Sequence, residues 1–140
     1  MKKLSSILVL TLILSFSSCS SVGNLNPMSL LTGNNWMLNT LMGKALDPSK
    51  FLSGIPSLNF LDGGKLSGFT GCNNFSGAFN LEGTGIKLDP GAMTKKACEG
   101  GGENDFLSAL GQVSNFKVNK NKLTLMDGAK ELMSFLPQSK

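Results

Sequence analysis

The sequence predicts a mainly β (α+β) domain, built as a small antiparallel meander that closes into a barrel-like shape, with one helix near residues 103–113. Two observations predict this fold. Short apolar runs with two-residue alternation follow one another, and turn signals rich in Gly, Asp and Asn recur about every eight to twelve residues. A single stretch has apolar residues at helical spacing instead. Closing such a meander also removes exposed sheet edges, which suits a domain without a second layer.

The strand candidates in the first part of the chain are runs in which apolar and polar residues alternate. They are residues 36–41, 58–61, 66–70, 75–81 and 86–88. The run 75–81 alternates most strictly, and Asp62-Gly63 is a hairpin signal between the second and third runs. Residues 44–55 are expected to be irregular, because Pro48, Gly54 and the following Pro56 break any helix.

The helix is expected directly after the glycine run 100–102. The acidic and amide side chains of residues 103–105 place acceptors and negative charge at its start, where free amides and the helix dipole favour them. The apolar residues at helical spacing are Phe106, Leu107, Leu110 and Val113. Three short strands are expected to follow, at residues 116–118, 123–125 and 132–135.

The N-terminus has the pattern of an export signal. Lys2 and Lys3 precede an apolar run at residues 4–14, which is too short for a membrane-spanning helix of about 20 residues. Small residues then lead to Cys19, so the segment resembles a bacterial lipoprotein signal. That resemblance implies cleavage after Ser18 and acylation of Cys19. Phe16 stands where such signals usually have Leu, and an ordinary signal peptide cleaved near the same serines is the alternative.

These features divide the 140-residue chain into a signal peptide of the lipoprotein type (1–18), a flexible tether (19–29) and a single domain (30–137). The expected location is the bacterial cell envelope. There a lipid on Cys19 would anchor a monomer to a membrane, facing the periplasm or the outer surface.

Missing residue types exclude several classes of function. The chain has no histidine and no arginine. Without imidazole, neither a Ser-His-Asp or Cys-His nucleophile nor a histidine metal site can form. Removal of Lys2 and Lys3 lowers the formal charge from +4 to about +2, and the other lysines are scattered, so no nucleic-acid binding is expected. We expect no catalytic residues, no cofactor and no metal, since two internal cysteines alone do not complete a tetrahedral zinc site.

Cys72 and Cys98 are the two cysteines inside the domain, and in an exported protein they are first interpreted as a disulfide. Closing a loop of that length is worth about 3.5 kcal/mol in the chain-entropy model. The alternative is a free, nucleophilic Cys72 activated by Lys95 or Lys96.

Polar residues and glycines surround this cysteine pair. Asn73, Asn74 and Thr94 could line a site, although such residues more often satisfy backbone groups in turns. Gly71 and Gly77 are expected to serve tight backbone geometry beside the bridge.

The paired motif carries a family resemblance. Gly71-Cys72-Asn73-x-Phe75-x-Gly77, followed by Thr94-x-x-Ala97-Cys98, resembles the META domain family, which includes the HslJ-like heat-shock lipoproteins of the bacterial envelope. The match covers about residues 30–136. Further matching positions are Trp36, Leu38, Glu103, Phe106, Leu110, Leu123 and Leu125. The glycine run 100–102 is a departure, because a less flexible lead into the helix is expected there.

The resemblance implies a small barrel-like β domain with a helix, tethered in the periplasm and linked to heat shock and to tolerance of drugs such as novobiocin. It implies no catalytic residues. The leading hypothesis is therefore a non-enzymatic envelope lipoprotein that acts through protein contacts. One alternative is a barrel that binds a small apolar ligand, which Phe60, Phe75, Phe79 and Phe116 could line, although phenylalanines more often fill a core. Another is an inhibitor of an envelope or host hydrolase, which would act through an exposed loop at residues 44–56.

Overall fold

The structure is a computed structural model, and it describes residues 26–138. The expected signal peptide, Cys19 and most of the expected tether lie outside the described residues. Within these described residues, nine strands and two α-helices follow one another: α1 (Pro27–Thr32), β1 (Asn35–Leu41), β2 (Lys44–Ala45), β3 (Ser57–Leu61), β4 (Lys65–Phe69), β5 (Asn74–Glu82), β6 (Gly85–Met93), α2 (Gly102–Gln112), β7 (Asn115–Asn119), β8 (Lys122–Asp127) and β9 (Lys130–Gln138).

The strands form one antiparallel sheet that closes on itself. Their order is β2-β1-β3-β4-β5-β6-β7-β8-β9, and β1 also pairs with β9, with Leu38 opposite Phe135. From β3 to β8, each strand therefore pairs with the next one along the chain. The predicted barrel-like antiparallel meander is confirmed. The strand pairing around the closed sheet is shortest between β6 and β7, which share a single paired position, Gly85 with Asn115.

Helix α1 is not among the elements that the sequence predicts. The side chain of Asn26 caps it by accepting a hydrogen bond from the Met28 amide at 3.0 Å, and Pro27 occupies its first turn. Leu31 is fully buried, and its carbonyl accepts a 2.9 Å hydrogen bond from the indole of Trp36. Residues 27–29, which the sequence placed in the tether, lie in this helix, and Met28 packs against the core.

Residues 44–55 are also more regular than expected. β2 pairs with the end of β1 through a two-residue turn, in which Met42 and Gly43 both have positive φ, as this hairpin type requires. A 3₁₀ helix at Pro48–Lys50 follows, and the side chain of Asp47 caps it by accepting from the Ser49 amide. Local polar contacts of this kind give no apolar periodicity, so the pattern could not predict them.

The core fills the inside of the closed sheet and continues under α2. Its largest fully buried side chains are Trp36, Phe60, Phe106, Phe135, Leu31, Leu58, Leu66, Leu110, Leu123, Leu125, Leu132 and Met133. Phe106 and Leu110 come from α2, at the helical spacing that predicted this helix. Among the described residues, no helix has both the length and the apolar character needed to cross a membrane.

Candidate functional site

The cysteine motif lies in the tight connection between β4 and β5. The Thr70 amide donates to the Asn73 carbonyl at 2.8 Å, and the Thr70 hydroxyl accepts from the Asn73 amide at 2.8 Å. Gly71 has φ +94° at this turn, and a Cβ there would lie 2.5 Å from Cδ1 of Phe51. Glycine is therefore required at position 71 both by its backbone angle and by the ring packed against it.

The side chain of Asn73 joins this turn to the segment after β6. Its Oδ1 accepts hydrogen bonds from the Lys96 amide at 2.7 Å and from the Thr94 hydroxyl at 2.9 Å. Its Nδ2 donates to the Lys96 carbonyl at 3.2 Å and to Oε1 of Glu103 at 2.9 Å. The residue is only 3% exposed. Asn73 thus satisfies backbone groups of another segment, which is the structural role that the sequence favoured for it.

Glu103 completes this cluster from the first turn of α2. Its Oε1 also accepts a 2.6 Å hydrogen bond from the Thr70 hydroxyl. The sequence predicted acceptors and negative charge at the helix start, and Glu103 and Asp105 do lie in the first turn of α2. The N-cap itself is Gly101, which has φ +74° and gives no side-chain cap. The hydrogen bond between Thr70 and Glu103 was not predicted, since the two residues share no recognisable spacing.

Cys72 and Cys98 form a disulfide whose Cα atoms are 6.1 Å apart, within the usual range for such a bond. Cys72 is 6% exposed. Since both sulfurs are bonded, Cys72 has no thiolate with which to attack a substrate. We call the whole cluster the disulfide corner; it consists of residues 70–74, residues 94–98 and Glu103.

The remaining motif residues divide between the disulfide corner and the sheet. Thr94 lies in the corner, where its hydroxyl also accepts from the Asn74 amide at 3.1 Å. Phe75 and Gly77 continue into β5, where Phe75 is a core residue and Gly77 lies directly against the backbone of Asp89 and Pro90. Their place in the motif is explained by packing.

The glycine run 100–102 fits its surroundings closely. A Cβ on Gly100, whose φ is +93°, would lie 2.8 Å from the carbonyl oxygens of Ser49 and Lys50. A Cβ on Gly102 would lie 2.6 Å from Cε1 of Phe51. The departure from the expected family pattern thus has a local reason, because the start of α2 lies directly on residues 49–51.

Two surface cavities flank these elements. One, of about 750 Å³, lies beside the disulfide corner between the end of β6 and α2, and is lined by Asn73, Gly91, Ala92, Met93, Thr94, Lys95, Lys96, Ala97, Glu103 and Leu107. The other, of about 460 Å³, lies between α2 and the stretch from the end of β1 to Phe51. The ion pair of Lys50 with Asp105, at 2.7 Å, lies at the second cavity.

Neither cavity is the ligand site considered from the sequence. The four phenylalanines proposed to line one belong to the packed core: Phe60, Phe75, Phe79 and Phe116. The rings of Phe60 and Phe79 pack edge to face, with centroids 5.0 Å apart. They fill the interior, which is the use that the sequence favoured for these four phenylalanines.

Two ionisable groups near the second cavity have shifted pKa values. Hydrogen bonds from the hydroxyl and the amide of Ser49 hold the pKa of Asp47 below its ordinary value. The hydrogen bond that Lys50 donates to Asp105 raises the pKa of Lys50. Both shifts are consequences of local contacts at the 3₁₀ helix, which are structural in role.

Comparison with known proteins gives a family and a fold. The META domain family model matches residues 29–140, which confirms the resemblance carried by the motif. No curated protein sequence matches the chain.

Three solved structures share the fold. A Burkholderia xenovorans protein solved by NMR has a TM-score of 0.63 and 21% identity, over 81% of this chain and 87% of that one. A DUF4847 family protein crystallised from Bacteroides vulgatus has a TM-score of 0.62 and 16% identity, over 82% and 99%. A further NMR structure has a TM-score of 0.61 and 23% identity, over 80% and 96%. At these identities the likeness concerns the fold alone.

Proposed function

Because the chain belongs to the META domain family, we propose that it is a non-catalytic binding domain of the bacterial envelope, anchored by a lipid on Cys19. In this proposal it contributes to heat-shock and drug tolerance of the novobiocin type by contacting other envelope proteins. The polar groups of the disulfide corner support a structural use of the motif, because Asn73, Glu103 and Thr70 are already bonded to one another.

The observation that carries the binding role is the surface of residues 42–55. Five large apolar side chains are exposed among the described residues, and three of them lie in this one segment: Met42, Leu52 and Ile55. Leu52 is 67% exposed. Single exposed apolar residues are ordinary on a protein surface, so the proposal rests on Leu52 and Ile55, which lie three positions apart in one exposed connection.

This segment is also held firmly, which favours binding. Phe51 is buried against Gly71 and Gly102, the 3₁₀ helix is capped by Asp47, and Lys50 is paired with Asp105. A loop that is already ordered loses less conformational entropy when a partner binds. The 42–55 segment therefore presents Leu52 and Ile55 on a rigid support.

Site-specific photo-crosslinking in living bacteria tests the contact. A photoreactive residue at Leu52 is compared with one at Asn121, an exposed turn residue between β7 and β8. We expect a specific envelope protein to be captured through position 52, with a stronger yield under heat or novobiocin, and no such product through position 121. The captured protein must then bind the purified chain and lose at least about tenfold in affinity with Leu52→Glu/Ile55→Glu, while Asn121→Glu binds normally.

The absence of a product at position 52 in stressed cells, or equal binding by the double variant, would reject the 42–55 segment as the contact surface. The anchor is tested separately by the intact mass of protein purified from membranes. A mass that begins at Cys19 and includes acyl chains supports it, whereas an unmodified Cys19 contradicts it.

A second candidate function uses the same surface. A rigid loop with a protruding apolar residue is also how many protein inhibitors of hydrolases bind, since little rearrangement is needed on association. In that case the captured partner would be a hydrolase, and adding the purified chain to it would reduce its activity. Normal activity of lysozymes and envelope proteases at saturating chain concentration would remove this candidate.

A further inference from the structure

The closed sheet gathers lysines that are scattered along the sequence. Consecutive antiparallel strands alternate in direction, so the β3–β4, β5–β6 and β7–β8 turns lie at the end of the sheet where β1 begins and β9 finishes. Helix α1 directly precedes β1 and packs near β3, so the described part of the chain also starts at this end. We call it the tether end; it consists of residues 26–35, 61–65, 82–85, 117–122 and 136–138.

The tether end carries an excess of positive charge. Four exposed lysines lie there with two acidic residues, whereas the opposite end, formed by residues 42–55, 94–105 and 127–131, carries five lysines and six acidic residues. Lys87 and Asp89 lie between the two ends, in β6. The described part of the chain is therefore positive where it starts and slightly negative at its other end. The four lysines of the tether end are Lys65, Lys117, Lys120 and Lys122.

Three of these lysines crowd the β7–β8 hairpin. Lys122 is paired across the strands with Asn119, so it lies diagonally opposite Lys117 on the same outer face. No acidic residue occurs between Asp105 and Asp127 in the sequence. Among the described residues, the only ion pair is the one between Lys50 and Asp105 at the opposite end. Like charges at neighbouring strand positions destabilise a sheet, so the hairpin suits an anionic partner.

Two exposed leucines lie among the lysines of the tether end. Leu61, which is 41% exposed, is paired with Lys65 across the β3–β4 hairpin. Leu136, which is 45% exposed, follows Phe135, the partner of Leu123, and so lies beside the start of β8. Lysines with flexible apolar stems, next to exposed leucines, suit a membrane surface, where charge meets phosphate and apolar groups meet the acyl boundary.

We propose that the tether end docks on the surface of a bilayer that contains anionic phospholipid. Its lysines bind lipid phosphates, and Leu61 and Leu136 contact the boundary between headgroups and acyl chains. Cys19 lies seven positions before Asn26, and a chain of that length spans at most about 25 Å, so a lipid on Cys19 would keep this end near the bilayer. The docked domain directs the 42–55 segment away from the membrane. This inference rests on the proposed envelope location and specifies the orientation of the domain there.

The test is photo-crosslinking to lipid, with the full chain isolated from bacterial membranes and placed in vesicles. A photoreactive residue replaces Asn121 at the tether end or Ser53 at the opposite end, and both positions are exposed. Vesicles of phosphatidylcholine are compared with vesicles in which about a third of the lipid is phosphatidylglycerol. Mass spectrometry measures the lipid adducts. We expect adducts at position 121 that rise at least about fivefold with the anionic lipid and fall again near 1 M salt, and few adducts at position 53.

Two double variants with equal changes in net charge separate this surface from a general charge effect. With the probe at position 121, Lys117→Glu/Lys122→Glu should lower the adduct yield in anionic vesicles at least about tenfold. Lys95→Glu/Lys96→Glu, at the opposite end, should leave the yield unchanged. Circular dichroism checks the fold of both.

Several outcomes would overturn the proposal. Equal adduct yields with and without anionic lipid would show that the tether alone brings position 121 to the membrane. Equal yields at positions 121 and 53, or equal losses in the two double variants, would show that the domain has no docked orientation. The anchor is judged separately by the mass of the N-terminus. If Cys19 proves unmodified, the chain is mixed with the same vesicles, and the same comparisons decide whether the tether end docks.

Discussion

The disulfide corner and the 42–55 segment touch each other through Phe51, yet they are built in opposite ways. In the corner, buried polar side chains are matched with partners, and a covalent bond joins the two strands of chain. In the 42–55 segment, a buried ring and a few local polar contacts support apolar side chains that face solvent. The first region fixes a geometry, and the second presents a surface. Family motifs in this domain therefore mark the support more than the surface that a partner would contact.

The largest loss of stability is expected when the polar cluster of the disulfide corner is broken. Asn73→Ala removes the hydrogen bonds to Lys96, Thr94 and Glu103, and it leaves part-buried groups of these residues without this partner. We expect the free energy of unfolding to fall by roughly 3 to 5 kcal/mol, since each unsatisfied group costs about 1–3 kcal/mol. Urea denaturation measures it. Asn74→Ala is the matched control, because that side chain is exposed, and it should change stability by less than about 0.5 kcal/mol.

An equal loss in Asn73→Ala and Asn74→Ala would show that the amide network contributes no more than an ordinary surface residue, and the contrast between the two regions would fail.

The second largest loss of stability is expected when the disulfide of the corner is removed. Cys72→Ser/Cys98→Ser opens a loop whose ends are 26 positions apart. The chain-entropy model gives a loss of about 3.5 kcal/mol in the free energy of unfolding. The far-ultraviolet circular dichroism spectrum should stay unchanged at 25 °C, because Asn73 still joins the two segments. A spectrum that loses its β signal would mean that the hydrogen bonds cannot hold the corner without the bridge.

The 42–55 segment should respond in the opposite way. Leu52→Ala removes a side chain that is 67% exposed and should change the free energy of unfolding by less than about 0.5 kcal/mol. Phe51→Ala, one residue earlier, removes a ring that is 7% exposed and should cost about 3 kcal/mol or more. Thermal or urea unfolding of both variants measures the difference. A large loss for Leu52→Ala would place Leu52 in the fold and remove it from the presented surface.

The strands were predictable because the physics that forms them is local. The alternation in residues 75–81 and turn signals such as Asp62-Gly63 can be recognised in one sequence alone. β5 and the β3–β4 hairpin lie where these signals predicted them. Helix α1 was not predicted, because its six residues are too few to show a repeated helical pattern of apolar residues. Only Asn26 and Pro27 indicate where it starts.

The candidate site was predictable only in part. Its cysteines and Asn73 lie in a recognisable motif. Glu103, in contrast, is brought to them by the packing of α2 against the β4–β5 turn. Thr70 was predicted only as the last residue of a strand. Long-range placement of this kind leaves no period or spacing in the sequence. The glycine run 100–102 is similar, since the reason for it is the backbone of residues 49–51 lying against it.

The smallest expected effect concerns the acid that orders the 42–55 segment. Hydrogen bonds from Ser49 lower the pKa of Asp47, so the folded chain favours the carboxylate. The stability that Asp47 contributes is therefore present above its ordinary pKa and is lost as pH falls through the lowered folded value. Asp47→Asn keeps an oxygen that can cap the 3₁₀ helix but does not titrate. In NMR titrations from neutral to acid pH, the Ser49 amide should shift in the parent with an apparent pKa below 3.8, and stay in place in Asp47→Asn. A parent titration at or above 3.8 would mean that the cap does not hold the segment in solution, and that the exposed surface of Leu52 lacks the rigid support that distinguishes it from an ordinary loop.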